Sequence, residues 1–587
     1  MITHRIAVPL AGILAGTSVL LVRPAVASPP VVEKKPVAEG YGGAVSTVDL
    51  DASKVALGVL RQGGNAMDAA IAAAATLGVT EPYSAGLAGG GFIVYYDARH
   101  KKVHTIDGRE AAPRAMGPAS LEGIPFEEAV TSGLSAGVPG SVAQWELALR
   151  RFGTLSLKQA LNPAIEVASK GFVVDQTFYE QTAANAAWFK DFTSTAKLYL
   201  PGGVPPPVGS TFRNPELAET YRQLGRRGGD WLYKGALGAE VVATVKAPPV
   251  TPGSTRRVRP GLMETSDLKA YRALERSPTK MTYKGMDVYG MAPPSSGGST
   301  VGEALNILEA LPKIGLHEYL EASRLSFADR DRYVGDIPGV PLKELLSDGF
   351  AKERACLIGE RAMPNPAPPG NPDGRYGPCP VTPSAQATAT PVEGPETSHL
   401  VVTDRWGDVV AYNITIESTG GNRIVVPGRG FLLNNELTDF TFGPAPGDPN
   451  LPAPGKRPRS SMAPTIVLVD GKPLLALGSP GGATIITTVL QILVNRWDFG
   501  MSLPQALAAP RASQRNTAQT QAEPGFIDRY GPELTLKGQS FAPTPEIGAA
   551  TAIEFLHDGR LQAVAEPVRR GGGSALVMSE RRQDRHR

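Results

Sequence analysis

Residues 397–403 read Thr-Ser-His-Leu-Val-Val-Thr, and they follow Pro391-Val392-Glu393-Gly394-Pro395-Glu396. A proline-rich stretch stops there and an alternating strand pattern begins. Taken alone, the junction is a loop entering a strand. It has a second reading. A threonine exposed as a new N-terminus carries nucleophile and base on one residue, because its hydroxyl attacks while its α-amine takes the proton. What lies downstream decides between them.

Apolar runs at 399–403 and 409–416 flank Asp404-Arg405-Trp406-Gly407-Asp408, which predicts a hairpin. A second hairpin is predicted at 465–469 and 473–477 around the Asp470-Gly471 turn. Between them lie Leu433-Asn434-Asn435-Glu436-Leu437-Thr438-Asp439-Phe440 and Arg457-Pro458-Arg459-Ser460-Ser461-Met462. Gly478-Ser479-Pro480-Gly481-Gly482 then opens an apolar helix over 485–494. The first half carries Gly63-Gly64-Asn65-Ala66-Met67-Asp68, Gly89-Gly90-Gly91, Asp107-Gly108-Arg109-Glu110, Gly137-Val138-Pro139-Gly140 and Pro294-Ser295-Ser296-Gly297-Gly298. The glycine run at 89–91 lacks both a Walker lysine and GxGxxG spacing, so it makes a poor phosphate cradle.

In order and spacing these boxes resemble the γ-glutamyltransferase family of N-terminal-nucleophile hydrolases, from about Tyr41 to about Val577. The resemblance implies an α+β fold, a four-layer αββα sandwich built jointly by two pieces of one chain. It also implies a self-cut between Glu396 and Thr397. Residues 28–396, with a linker at about 363–396, would form the large piece and residues 397–587 the small catalytic one, together a heterodimer. The expected activity is hydrolysis of glutathione and related γ-glutamyl amides, with transfer of the γ-glutamyl group to amino acids or dipeptides through a threonyl ester. No cofactor is implied.

The resemblance also assigns roles. Thr397 is the nucleophile and Thr415 its hydrogen-bonding neighbour; read blind, Thr415 is a β-branched strand filler. Gly481 and Gly482 supply N–H donors to the oxyanion at a helix start. Arg109, Ser460 and Ser461 take the substrate α-carboxylate, a task that suits the planar guanidinium fork. Glu436 and Asp439 take the α-ammonium. In isolation these charged residues read as ordinary surface groups. Two departures stand out. Glu417 occupies a position where many members have Asn or Ser, close to the nucleophile. Segment 441–455 is shorter than the family's lid loops and has no Tyr or Trp. An extra acid and an open mouth leave a sister activity in play, the acylase that removes glutaryl side chains from cephalosporins. A non-catalytic, uncleaved binding protein is the third alternative.

Composition sets outer bounds. Net charge is +3 over 587 residues, which gives no reason to expect nucleic acid. A short basic start, an apolar run at 6–22 and Ala25-Val26-Ala27 before Ser28 predict a cleaved secretory signal over 1–27. Pro9, Gly12 and Gly16 make that run a poor permanent span. The mature chain is therefore expected to be soluble, in the periplasm or outside the cell. In that setting Cys356 and Cys379 are expected to form one disulfide, with two free thiols the alternative. The scattered histidines show no metal-ligand spacing, so no metal is expected.

Overall fold

A computed structural model of the chain describes residues 33–377, 379, 396–443 and 445–579. The predicted signal segment and most of the second half of the linker lie outside them. The architecture grows from one long strand, Val37–Thr47. Its first half pairs with Leu561–Ala565, and its second half pairs with Ser398–Thr403 and Ser574–Ser579. It thereby belongs to two antiparallel sheets at once. One sheet runs outward through Ser398–Thr403, Val409–Thr415, Gly90–Asp97, Lys102–Asp107 and Leu274–Arg276. The other runs through Leu561–Ala565, Thr551–Phe555, Lys472–Gly478, Thr465–Val469, Met286–Gly290 and Thr279–Tyr283. Residues from both sides of position 397 contribute strands to each sheet.

The sheets stack face to face over Val94, Val401, Ala411, Ile466, Ala476, Ile553 and Ala563, all fully buried. A helical layer covers each outer face. The helix Ala66–Thr80 packs on the strands Ser398–Thr403 and Val409–Thr415. Its sequence, AMDAAIAAAATLGVT, is apolar nearly all round, and every residue of it is buried. A helix of that kind belongs inside a domain, and its alanines let sheet and outer helices approach closely. On the other side, Gly297–Glu309 and Thr484–Trp497 cover the second sheet. The result is the expected four-layer αββα sandwich.

Local chemistry explains the elements that matter for function. The Asp470-Gly471 turn has both residues at positive φ, 50° and 72°, which matches the twist of the strands it joins. Asn65 caps the helix Ala66–Thr80 in a reciprocal box with Asp68. Asp404 organises the 404–408 turn by accepting from the Trp406 and Asp408 N–H groups, and it also accepts from Ala66 N–H. The sheet hairpin that carries the candidate nucleophile is thus tied directly to the buried helix. Gly89 and Gly91 allow backbone crowding rather than phosphate binding. A Cβ at Gly89 would sit 1.9 Å from the Thr415 carbonyl oxygen, and one at Gly91 2.1 Å from that of Asn413.

Cys356 and Cys379 are bonded as a disulfide. The first part of the proline-rich stretch is not loose. Ala367 is buried and its N–H donates to Asn516, while the Tyr376 hydroxyl donates to Glu344. Proline lacks an N–H, so such a stretch needs few backbone partners and packs well through its side chains and remaining amides. Among the described residues no helix is long and apolar enough to cross a membrane.

Candidate active site

Thr397 stands immediately before the first residue of the central strand Ser398–Thr403, and Thr415 is the last residue of the neighbouring Val409–Thr415. The antiparallel register pairs Ile414 with Ser398 and so brings the two threonines side by side. Thr397 Oγ1 donates to the carbonyl oxygen of Glu396 at 2.7 Å and lies 3.2 Å from Thr415 Oγ1. Thr415 Oγ1 donates to the same carbonyl at 3.1 Å and accepts the Glu417 N–H at 2.9 Å. A polarised chain therefore runs from the Glu417 amide through Thr415 to the carbonyl of the peptide bond before Thr397. This hydroxyl is poised against its own preceding carbonyl, with a second hydroxyl donating to the oxygen on which charge would develop.

One pocket joins this centre to the other sequence-predicted residues. It is lined by Arg109, Glu396, Thr397, Thr415, Glu417, Glu436, Asp439, Ser460, Ser461 and Gly482, together with Met462 and Ile485. Arg109 arrives from the end of the strand Lys102–Asp107, where the Asp107 carboxylate accepts its N–H at 2.8 Å. Glu436 and Asp439 come from a single 3₁₀ turn, Glu436–Asp439, whose threefold period puts both on one side. The resemblance assigned the arginine to the α-carboxylate of a bound amino acid and the two acids to its α-ammonium, two groups borne on one carbon. Here they meet. Arg109 Nη1 pairs with Glu436 Oε1 and Nη2 with Asp439 Oδ2, and Nη2 also donates to the Arg459 carbonyl at 3.0 Å. All three side chains are buried, so each charge needs a partner, and the nearest partners are one another. Such a cluster offers a zwitterion both signs of charge within one pocket.

Ser460 and Ser461 are held by the 295–296 region. The Ser296 N–H and hydroxyl both donate to the Ser460 carbonyl, and Ser460 N–H donates to that of Pro294. Arg330 donates to Ser461 Oγ at 2.8 Å and to Ser296 Oγ at 2.9 Å. Arg330 was missed in the sequence. It lies on Leu316–Tyr333, a charge-rich helix that is buried although it shows no clean apolar stripe. Glu417 sits at φ 79°, a left-handed conformation that costs a non-glycine residue about 1–3 kcal/mol. Its carboxylate accepts from Ser418 at 2.6 Å and from Asn435, so the extra acid is anchored by hydrogen bonds beside Thr415. Asn435, again not singled out, is the second anchor.

Gly481 and Gly482 precede the helix Thr484–Trp497, at φ 133° and 54°. A Cβ at Gly481 would meet Thr484 Oγ1 at 2.5 Å. Among the described residues no backbone carbonyl accepts either amide N–H. Two unpaired donors at a helix start, one of them lining the nucleophile's pocket, suit an oxyanion. His399, two residues from Thr397, is not a base for it. Burial drives its pKa down to about 3, and Nδ1 meets Thr551 Oγ1 at 2.7 Å. Glu110, next to Arg109, is pushed up to about 8 by burial, and neither carboxyl oxygen has a hydrogen-bond partner among the described residues.

The Gamma-glutamyltranspeptidase family pattern matches residues 52–576. The glutathione hydrolase proenzyme of Bacillus subtilis (strain 168) is 36% identical, across 94% of this chain and 94% of that protein. Its counterpart from Escherichia coli (strain K12) is 34% identical, across 89% of this chain and 90% of that protein. The crystal structure of cephalosporin acylase from Bacillus halodurans superposes with a TM-score of 0.80 at 26% identity, covering 95% of this chain and 99% of that one.

Proposed function

The chain belongs to the gamma-glutamyltranspeptidase family, and from that premise we propose that it is a self-processing enzyme with an N-terminal threonine nucleophile. It cuts itself before Thr397 and then hydrolyses glutathione and related γ-glutamyl amides, transferring the γ-glutamyl group to amino acids or dipeptides. The observation that carries this reading is the placement of Thr397 Oγ1, 2.7 Å from the Glu396 carbonyl oxygen, in the pocket that also holds Arg109, Glu436 and Asp439.

The steps follow from the side chains. Thr397 Oγ1 adds to the Glu396 carbonyl carbon, the bond to the Thr397 nitrogen breaks, and the hydroxyl proton ends on that nitrogen as the amine forms. Water cleaves the ester, leaving a carboxylate on Glu396 and a free hydroxyl on Thr397. In the mature enzyme that hydroxyl attacks the γ-glutamyl amide, with the new α-amine as base. Gly481 and Gly482 stabilise the oxyanion. Arg109, Ser460 and Ser461 hold the α-carboxylate, while Glu436 and Asp439 hold the α-ammonium. Water or an acceptor amine releases the acyl group. The two pieces stay together as a heterodimer, since each sheet draws strands from both. We assign residues 1–27 to export, placing the mature protein in the periplasm or outside the cell.

A denaturing gel with N-terminal sequencing of both bands tests the cut and the export signal together. Threonine at the start of the small band and Ser28 at the start of the large one are expected. Thr397→Ala should remain one uncut, inactive chain; two bands from it would mean that an outside protease does the cutting. The likeness to the cephalosporin acylase keeps a second substrate class open. Turnover of γ-glutamyl-p-nitroanilide against a glutaryl cephalosporin separates the two, and a preference for the second would overturn the γ-glutamyl assignment.

A further inference from the structure

The guanidinium of Arg570 grips both residues of the peptide bond before Thr397. Its Nη1 donates to the Thr397 carbonyl at 2.8 Å, and its Nη2 lies 3.0 Å from Glu396 Oε2. The same Nη2 donates to Ser84 Oγ at 2.8 Å and to Glu81 Oε2 at 3.3 Å. Ser84 Oγ completes the circuit by donating to Glu396 Oε2 at 3.1 Å. These contacts are sheltered, with the Arg570, Glu81 and Glu396 side chains 11%, 8% and 16% exposed. An arginine fork in such a place fixes direction as well as distance.

Arg570 is itself held at some cost. It sits at φ 53°, ψ 39°, in the left-handed region that disfavours a residue with a Cβ. Its backbone is pinned on both sides, N–H to Glu546 Oε2 at 3.1 Å and carbonyl to Thr177 Oγ1 at 3.1 Å. Strained backbone persists where surrounding contacts over-determine it, and here it aims one side chain at one peptide bond. The neighbouring Arg569 is different, because its side chain is bound to Glu523 and Glu566, away from the junction.

We propose that Arg570 is a positioning residue for self-cleavage: by clamping the Glu396 carboxylate and the Thr397 carbonyl, it holds the intervening peptide with the Thr397 hydroxyl against the carbonyl it attacks. The inference rests on the self-cutting reading given above. Arg570 takes no proton and forms no bond; it removes rotational freedom on both sides of the reacting carbonyl. Its Nη1 contact is to Thr397 itself, so it survives the cut and keeps the new N-terminal residue oriented. The Nη2 contact to Glu396 is made to the departing side.

The test is the rate at which purified precursor converts to two chains, read by denaturing gel and intact mass. Arg570→Gln should slow conversion at least tenfold, and Arg570→Lys, which keeps the charge but not the fork, should fall between it and the parent. Glu396→Gln should slow it less, and adding Arg570→Gln to Glu396→Gln should cost less than it does in the parent, because one grip is shared. Melting temperature is compared in the uncut Thr397→Ala background, with and without Arg570→Gln. A loss of processing with little change in melting marks positioning rather than folding. Should Arg570→Gln fail to fold, Glu396→Gln and Ser84→Ala remain, and parental rates in both would overturn the proposal. So would a parental rate in Arg570→Gln, or fully multiplicative effects in the double variant. A cut in Thr397→Ala alone is a separate outcome and overturns the self-cleavage reading instead.

Discussion

Replacing Thr415 with valine keeps the branched shape and removes one hydroxyl. That hydroxyl has three neighbours: it accepts the Glu417 N–H at 2.9 Å, donates to the Glu396 carbonyl at 3.1 Å and lies 3.2 Å from Thr397 Oγ1. Two losses follow. The donor to the carbonyl that becomes an oxyanion during self-cleavage disappears, and loss of one such donor elsewhere costs about 3–4 kcal/mol, or roughly 10²–10³ in rate. The Glu417 N–H is also left without an acceptor in a buried site, at about 1–3 kcal/mol of stability. Thr415→Val is therefore expected to fold with a lowered melting temperature and to process about a hundredfold more slowly. Thr415→Ser, which restores the hydroxyl, should process within about tenfold of the parent. The assay is a time course of freshly purified precursor on denaturing gels, with intact mass to exclude cutting elsewhere. Parental processing in Thr415→Val would refute the reasoning, because the carbonyl would then be polarised by some other group.

Three further outcomes are expected. Arg109→Lys should raise KM for a γ-glutamyl donor tenfold or more, about 1.4 kcal/mol per tenfold, while the cut before Thr397 persists. The buried pairing with Glu436 and Asp439 adds an expected fall in melting temperature, since lysine leaves one acid poorly matched; an unchanged KM would remove Arg109 from the donor site. Gly481→Ala should lower kcat by an order of magnitude or more with processing retained, because its Cβ would sit 2.5 Å from Thr484 Oγ1 and displace the amide; an unchanged kcat would take that amide out of the chemistry. Glu110 should make the parent lose stability as pH rises. Its folded pKa of about 8 lies above the ordinary 4.5, so its contribution is complete below about 4.5 and is lost as pH climbs to about 8. Glu110→Gln should flatten the fall in melting temperature between pH 5 and 8.5, and an equal fall in both proteins would show that folding does not raise this carboxyl's pKa.

What could be read from the sequence was whatever depends on a residue type that few alternatives can replace. Gly481 is needed for its backbone angle, Gly89 and Gly91 for close approach, and Asp470-Gly471 for the turn, so each left a local trace. The four-layer arrangement was implied by the family resemblance that such boxes, in order, carry. Arg330 and Arg570 left no trace, because their partners are distant in the chain, and an arginine on a charge-rich helix or in a short Arg-Gly turn looks like any solvated one. The assignment of Arg109 to the substrate α-carboxylate and of Glu436 and Asp439 to its α-ammonium came from the family resemblance. Its incompleteness is physical. A role inferred for the liganded state says nothing of where buried charges go without ligand, and there they neutralise one another.

That pairing bears on how one pocket serves two reactions. Before the cut, the carbonyl of Glu396 occupies the place beside Thr397 Oγ1 and Thr415 Oγ1 that any later acyl group must take. The precursor is thus its own first substrate, and the grip on it comes from the Arg570 side of the nucleophile. In the function proposed above, the donor amino acid is held instead by the Arg109 cluster and the two serines. The first reaction happens once per chain and needs only that one peptide be held still. The second must repeat, so its ligand has to enter and leave, and a cluster whose charges pair among themselves between turnovers avoids exposing bare ions in a buried site. The two grips share only Thr397, Thr415 and the donors around them. Substitutions should therefore separate into those that stop the cut, and with it the turnover that needs the freed Thr397 amine, and those that stop turnover while the cut persists.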